Sequence, residues 1–349
     1  AIANNEMIMV YGDYDVDGTT AVALVYKFLK QIGHKNLVFY IPDRYNDGYG
    51  ISVKGIDFAA RKGVTLAIAL DCGIKAVEKV VYAKQKGVDF IICDHHLPAD
   101  EIPAAVAVLD PKRNDCNYPF NELSGCGVGF KLVQAYAQRH GIPFKDIEHL
   151  LDLLVVSIAS DIVPLTGENR ILAYYGLERL NRMPSSGLGS IIKICGLDRQ
   201  TITIDDIVFK IGPRINAAGR MRMEDYENED APSGGYKVVR LLVEGNEDAA
   251  REFGDDIDSF NQDRKNIDRS VTQEALDFVN NNLTVTPSPF LEMIKKENLT
   301  ANGGKFGART GIGGGFGMSE ERQNTPKANA PLYNKFEYAS KDAYVDIQI

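Results

Sequence analysis

The sequence predicts an α/β protein, with a mostly parallel sheet and covering helices, then a long connector helix and a divergent C-terminal segment. Three observations carry this. Apolar runs at residues 8–10, 64–70 and 88–93 each end abruptly in aspartate or histidine, helix-like segments separate them, and regular periodicity lapses from Leu283 onward.

The first strand, residues 7–10, runs into GDYDVDGTT, after which Ala21, Val22, Leu24, Val25, Phe28 and Leu29 recur at helical spacing. Were the acidic turn extended, Asp13, Asp15 and Asp17 would share one edge, and their repulsion would call for a cation. Hard divalent metals meet that need; a solvated Asp/Gly turn is the plain alternative.

Residues 37–42 read as a short strand, DRYNDGYG as a turn broken by Gly48 and Gly50, and residues 51–62 as a helix. The second apolar strand stops at Asp71. The third, VDFIIC, stops at Asp94, His95 and His96, with a helix at residues 75–86 between them. Taken singly, Asp71 fits a helix cap and the histidines fit loop imidazoles. Carboxylates and imidazoles at the same end of three strands point instead to a ligand site, since such sheets bind beyond their carboxyl ends.

Residues 104–112 suggest a further strand and turn. LSGCGVGFKL enters a helix through Gly125, Gly127 and Gly129, a packing turn or a helix start whose amides can hold an anion. An apolar helix at 150–159 closes on Ser160 and Asp161, a fourth candidate ligand. Helices at 169–181 and 188–195 follow. KIGPRINAAGRM then sets Arg214, Asn216 and Arg220 in a motif-like loop where arginine forks would suit phosphate. Residues 248–280 form a charged, proline-free helical pattern. The expected division is a catalytic domain over 1–245, a connecting helix over 246–283 and a glycine-rich segment over 284–349. Its GIGGGFG lacks a preceding strand, so a dinucleotide site is discounted.

Composition is that of a globular protein, 44% hydrophobic with net charge −9, which disfavours a generally basic nucleic-acid surface but leaves room for a local groove. The five cysteines form no CxxC pair, arguing against structural zinc and disulfides. No apolar run approaches the ~18 residues of a membrane span, and the start lacks a signal region, so a cytoplasmic address without membrane association is expected. A first strand so near Ala1, without an initiator methionine, suggests a trimmed chain.

GDYDVDG, DCG, DHH and SIASD, in this order, resemble the DHH phosphoesterase superfamily. IPDRYNDGYGIS, SGCGVGFKL and IGPRINAAGRM resemble blocks of its RecJ branch of single-strand-specific exonucleases, over residues 6–282. The resemblance implies a DHH fold and two Mn2+ or Mg2+ ions, with Asp15, Asp17, Asp71, His95 and Asp161 at ligand positions, Asp13 in or beside them, and Asp71 or Asp161 as bridges. It casts His96, Asp15 and Asp71 as catalytic, and leaves Arg44, Arg214, Asn216 and Arg220 for substrate phosphates. Tyr11 stands where other branches carry a histidine, as in RecJ-like members. The associated domain's GGH-type motif is missing; GGKFGAR lacks the histidine.

The activity so implied is 5′-to-3′ digestion of single-stranded DNA in repair and recombination, with single-strand-binding protein and helicase as partners. Tyr45, Tyr49 and Phe130 are candidates for base stacking. Two other readings stay open: a hydrolase of short oligonucleotides, cyclic dinucleotides or pyrophosphate, and a non-catalytic scaffold binding DNA or replication proteins.

Overall fold

The computed structural model describes residues 1–44, 46–220, 234–244 and helical positions among 259–277. The chain divides into two units, Ala1–Arg264 and Lys265–Ile349. The glycine-rich stretch 284–349, Tyr45, and much of the expected connector helix lie outside the described residues.

In the first unit, β1 (Met7–Gly12), β2 (Leu37–Tyr40), β3 (Val64–Leu70), β4 (Asp89–Cys93) and β5 (Ala107–Leu109) form one wholly parallel sheet in the order β2-β1-β3-β4-β5. Alternation along the strands divides the core in two. Ile8, Val10, Ile68 and Leu70 face one side, which is covered by α1 (Val16–Gln31), α4 (Gly125–Arg139) and α5 (Leu151–Ser160). Met9, Tyr11, Ala67 and Ala69 face α2 (Val53–Arg61) and α3 (Val77–Gln85) on the other. This is a doubly wound sheet, and β1 lies at its switch point: the chain leaves β1 for β2 on one flank and reaches β3 on the other. Such a fold opens a crevice beyond the ends of β1 and β3.

Register makes those ends level. Gly12 pairs with Leu70 and Leu70 with Cys93, so Asp13, Asp71 and Asp94 each begin the loop above adjacent strands. Helix α5 is buried along nearly its whole length, as an apolar helix hydrophobic all round must be, and it delivers Asp161 at its C-cap.

Helices α6 (Gly167–Arg182) and α7 (Ser186–Ile194) follow; α8 (Ile204–Asp206) then runs through a π-helical turn (Ile207–Ile211) into α9 (Gly212–Arg220), and α10 (Gly234–Glu244) comes last. Arg214, Asn216 and Arg220 therefore lie on a helix, not in a loop: the small residues Gly212, Ala217, Ala218 and Gly219 let the segment pack closely, and a Cβ on Gly219 would run into the Tyr14 carbonyl. Phe130 is corrected too. It is fully buried in the core and has no face to offer a base. The five cysteines are unpaired. Among the described residues no helix is long and apolar enough to cross a membrane.

Candidate metal centre

The acidic turn is not extended through its three aspartates. The strand ends at Gly12, Asp15 caps α1 by accepting the Gly18 amide at 2.9 Å, and Asp17 sits in the first helical turn. Helix geometry, not strand alternation, brings the carboxylates together. Asp17 is the most firmly held: Oδ2 accepts the Gly125 amide at 2.6 Å, and Oδ1 accepts the Cys126 amide at 2.8 Å and the Ser157 hydroxyl at 2.7 Å. The glycine-rich helix start does hold an anion, and that anion is the chain's own Asp17. Gly125 must be glycine for closeness, since a Cβ there would lie 2.6 Å from Asp71 Oδ1.

Asp71 takes a left-handed backbone, φ 58°, unusual for a residue with a side chain and costing roughly 1–3 kcal/mol. His95 Nε2 lies 3.1 Å from Asp71 Oδ1, 3.6 Å from Asp17 Oδ2 and 3.7 Å from Asp161 Oδ2. Three sets of ligand atoms fall within 4.8 Å of one another: Asp13, Asp15 and Asp71; Asp17, His95 and Asp161; and Asp71, His95 and His96. Asp71 and His95 belong to two sets each. All six expected ligand residues are thus gathered at one place, with His96 beside them.

The buried Asp13 Oδ1, Asp71 Oδ1 and His95 Nδ1 have no hydrogen-bond partner; the 3.1 Å approach of His95 to Asp71 lacks hydrogen-bond geometry. Burial first, and then the neighbouring Asp17 and Asp15, push the Asp71 carboxyl far above its usual range. The same two causes raise Asp13, next to Asp15, and Asp15, next to Asp17, and push Asp161 up to about 9. Burial lowers His95. Orphaned oxygens and mutually repelling carboxylates lack positive charge, and an oxygen-rich donor set with one imidazole fits a hard divalent cation such as Mn2+ or Mg2+.

Asp94, the first residue after β4, holds the adjoining loop. Its Oδ1 accepts His95 N at 2.7 Å, His96 N at 3.2 Å and His96 Nδ1 at 2.7 Å, and its Oδ2 accepts Ile74 N at 2.8 Å. Burial pushes the Asp94 carboxyl up, but its bonds to His96 and to the Ile74 amide outweigh that and leave it below the usual range. Burial lowers His96, yet the bond and charge of Asp94 outweigh it and raise the imidazole. Its side chain is 43% exposed, at the mouth of the site. The signal for Asp94 was available: it repeats Asp71's place at a strand end. Ser157, inside an apolar helix, gave none.

The proposed phosphate-binding residues divide. The Arg44 guanidinium stacks on Tyr14 at 5.6 Å and its charge reaches Asp13. Asn216 Oδ1 accepts the Val16 amide at 3.1 Å, so it helps to cap the helix that carries Asp17. Arg214 Nη1 donates to the Lys210 carbonyl at 3.1 Å, and the Arg220 side chain lies outside the described residues.

Residues 7–158 match the DHH family, N-terminal domain. Over 279 residues the chain is 38% identical to the single-stranded-DNA-specific exonuclease RecJ of Bacillus subtilis, covering 80% of this chain and 33% of that protein. The Escherichia coli RecJ is 34% identical over 286 residues, covering 79% and 48%. The chain thus spans a third to about a half of the length of these curated relatives. A crystal structure of exonuclease RecJ bound to manganese superposes with a TM-score of 0.69 at 28% identity, covering 79% of this chain and 66% of the other. RecJ from Thermus thermophilus in complex with Mn2+ gives 0.66 at 26%, covering 79% and 38%. Family match, sequence identity and superposition agree: residues 7–158 match the DHH family's N-terminal domain, and the chain is RecJ-like.

Proposed function

We propose that this chain is a metal-dependent phosphodiester hydrolase acting as a RecJ-like 5′-to-3′ exonuclease on single-stranded DNA. One observation carries the reading: the carboxylate of Asp71 is common to two sets of ligand atoms, as expected where neighbouring cations share a bridging ligand. The likeness to RecJ proteins named for single-stranded DNA, and to a structure named for bound manganese, supports the substrate and the ion.

Asp13, Asp15, Asp17, Asp71, His95 and Asp161 would hold two Mn2+ or Mg2+ ions, with Asp71 the better-supported bridge. When bound, such a pair supplies a hydroxide near neutral pH and neutralises the non-bridging phosphate oxygens. The protein's own part is positional and electrostatic. Two amides and Ser157 fix Asp17 against its repelling neighbours, so the carboxylates need not reorganise as charge develops. Asp94 fixes His96, whose half-exposed imidazole orients the phosphate or protonates the leaving oxygen. Arg44, Arg214 and Arg220 contact backbone or terminal phosphates, while Asn216 serves chiefly as a cap. The cytoplasm is the proposed compartment, with single-strand-binding protein and helicase as the partners to test.

The deciding assay digests end-labelled single strands with the whole chain in Mn2+, beside duplex DNA, a cyclic dinucleotide and pyrophosphate. Metal-dependent release of nucleotides from the single strand alone is the expected outcome, with slow, distributive kinetics. The segment 284–349 carries eight Lys/Arg against seven Asp/Glu and offers a polyanion little grip. Hydrolysis confined to the small substrates, or strand binding without cleavage, would overturn the exonuclease reading.

A further inference from the structure

The loop after β2 carries Tyr49 between two left-handed glycines, Gly48 at φ 77° and Gly50 at φ 78°. Side chains rarely adopt that backbone, so DGYG is a sequence built to turn twice around one tyrosine. The loop is anchored on both sides. The Tyr40 hydroxyl and the Asp43 amide each donate to Asp47 Oδ2 at 2.9 Å. The Tyr11 hydroxyl donates to the Gly50 carbonyl at 2.8 Å and accepts from the Ser52 amide at 3.1 Å. Tyr11 belongs to the strand that ends beside Asp13, so the loop is latched to the same framework as the acidic turn.

This latching brings the Tyr49 hydroxyl to 3.2 Å from His96 Nε2 and 3.5 Å from the Asp71 carbonyl oxygen, with its ring edge-on to the imidazole at 6.0 Å. Across the imidazole, Asp94 Oδ1 holds Nδ1 at 2.7 Å. A carboxylate only accepts, so Nδ1 carries a hydrogen. The single Tyr49 hydrogen goes to the Asp71 carbonyl when Nε2 is protonated and donates to the phenol, and turns to Nε2 when the ring is neutral. One hydrogen bond fixes a point of the ring, whereas two on opposite edges fix its plane. When the ring is protonated its Nε2–H can be shared between the phenol oxygen and a substrate oxygen, so the phenol directs that hydrogen without taking it.

We propose that Tyr49 is a positioning residue for His96, setting the plane of the imidazole from the edge opposite Asp94. The proposal rests on His96 acting on the substrate as set out above. Tyr49 contributes alignment of a reacting group, not affinity for the strand, so its hydroxyl governs turnover and leaves metal binding to the aspartates.

The test uses the whole chain with Mn2+ and a short end-labelled oligodeoxynucleotide. Tyr49→Phe, which keeps the ring, is expected to lower kcat about tenfold, with KM within about twofold and with melting temperature and Mn2+ affinity unchanged. Tyr49→Phe added to His96→Gln should cost nothing further, because the hydroxyl works through a ring no longer present. A wild-type kcat in Tyr49→Phe, an undiminished loss in the double variant, or a matching loss of Mn2+ affinity would each overturn the proposal. Wild-type kcat in His96→Gln would overturn the role of His96 and, with it, that of Tyr49. The metal-free chain gives a readout without turnover: in 15N-histidine spectra the His96 signals, identified by their loss in His96→Gln, should move in Tyr49→Phe. Unmoved signals overturn the proposal, whatever the catalytic assays give.

Discussion

The Gly125 amide donates to the Asp17 carboxylate at 2.6 Å, joining residues 108 positions apart. Helix α4 thereby points its amino end at the first turn of α1, and a side chain that its neighbours would repel is held in place by dipole and amide together.

Gly125→Ala should therefore damage the site more than an alanine in a helix ordinarily would. Its Cβ would meet Asp71, and overpacking of this kind costs about 1–3 kcal/mol. A lower melting temperature together with weakened Mn2+ binding, by thermal melts and metal titration, is the expected pair. Unchanged Mn2+ affinity would mean that Asp17 and Asp71 adapt without α4.

Removing a ligand should separate activity from stability. Asp71→Ala and Asp161→Ala are expected to lose at least ~100-fold in turnover, since partners outside the ligand shell alone cost about 10–100-fold. Both should melt at or above the wild-type temperature without metal, because a buried carboxyl that folding must desolvate is gone. Near-wild-type turnover in Mn2+ by either variant would show the centre to be wrongly assigned.

The pH dependence of metal-free stability follows from the raised carboxyls. Asp161 titrates near 9 in the folded chain against about 3.8 unfolded, so between those values the folded state binds the extra proton. Its stabilising contribution is complete below the unfolded value and is lost as pH rises toward 9. Asp13, Asp15 and Asp71 act in the same direction. His95, lowered in the folded chain, opposes them only where it protonates in the unfolded one, near and below pH 6.5. Melting temperature should therefore fall from pH 7 to 9 without metal, and saturating Mn2+ should flatten or reverse the trend, since binding displaces these protons. A rising metal-free curve over that window would contradict the raised carboxyls.

Asn216→Ala tests a cap against a phosphate contact. Loss of the bond to Val16 should cost roughly 0.5–2 kcal/mol of stability and loosen the acidic turn, weakening Mn2+. Alanine at Arg44, Arg214 or Arg220 should instead weaken strand binding across all sequences and flatten its salt dependence. Salt slopes unchanged in all three arginine variants would remove them from the substrate path.

The distribution of these effects reflects what the sequence could reveal. Asp71, His95 and Asp161 were legible because each closes an apolar element, and alternation or helical period says where that element stops. Phe130 is not a stacking residue because Gly129 beside it lets α4 press against Leu70 of the sheet and carries the ring into the core, a placement no local pattern encodes. Arg214 and Asn216 were misread as loop residues because Gly212, Pro213 and Gly219 look like breakers, whereas close packing against Tyr14 outweighs their propensity. The hold of Ser157 on Asp17 was invisible, because it joins segments 140 residues apart and no local pattern encodes it.

The fixing of Asp17 by α4 and α5 also has a consequence for the order of events in the cell. During synthesis Asp13 to Asp17 emerge ahead of α4 and α5, and the amides and hydroxyl that steady Asp17 follow more than a hundred residues later. A nascent chain carrying only the first strands has its acidic turn but nothing to clamp it, and Asp161, at the end of α5, has not yet been made. On the proposed ligand assignment, full cation affinity comes only once α5 is made, so a chain arrested before α5 should bind Mn2+ more weakly than the whole one.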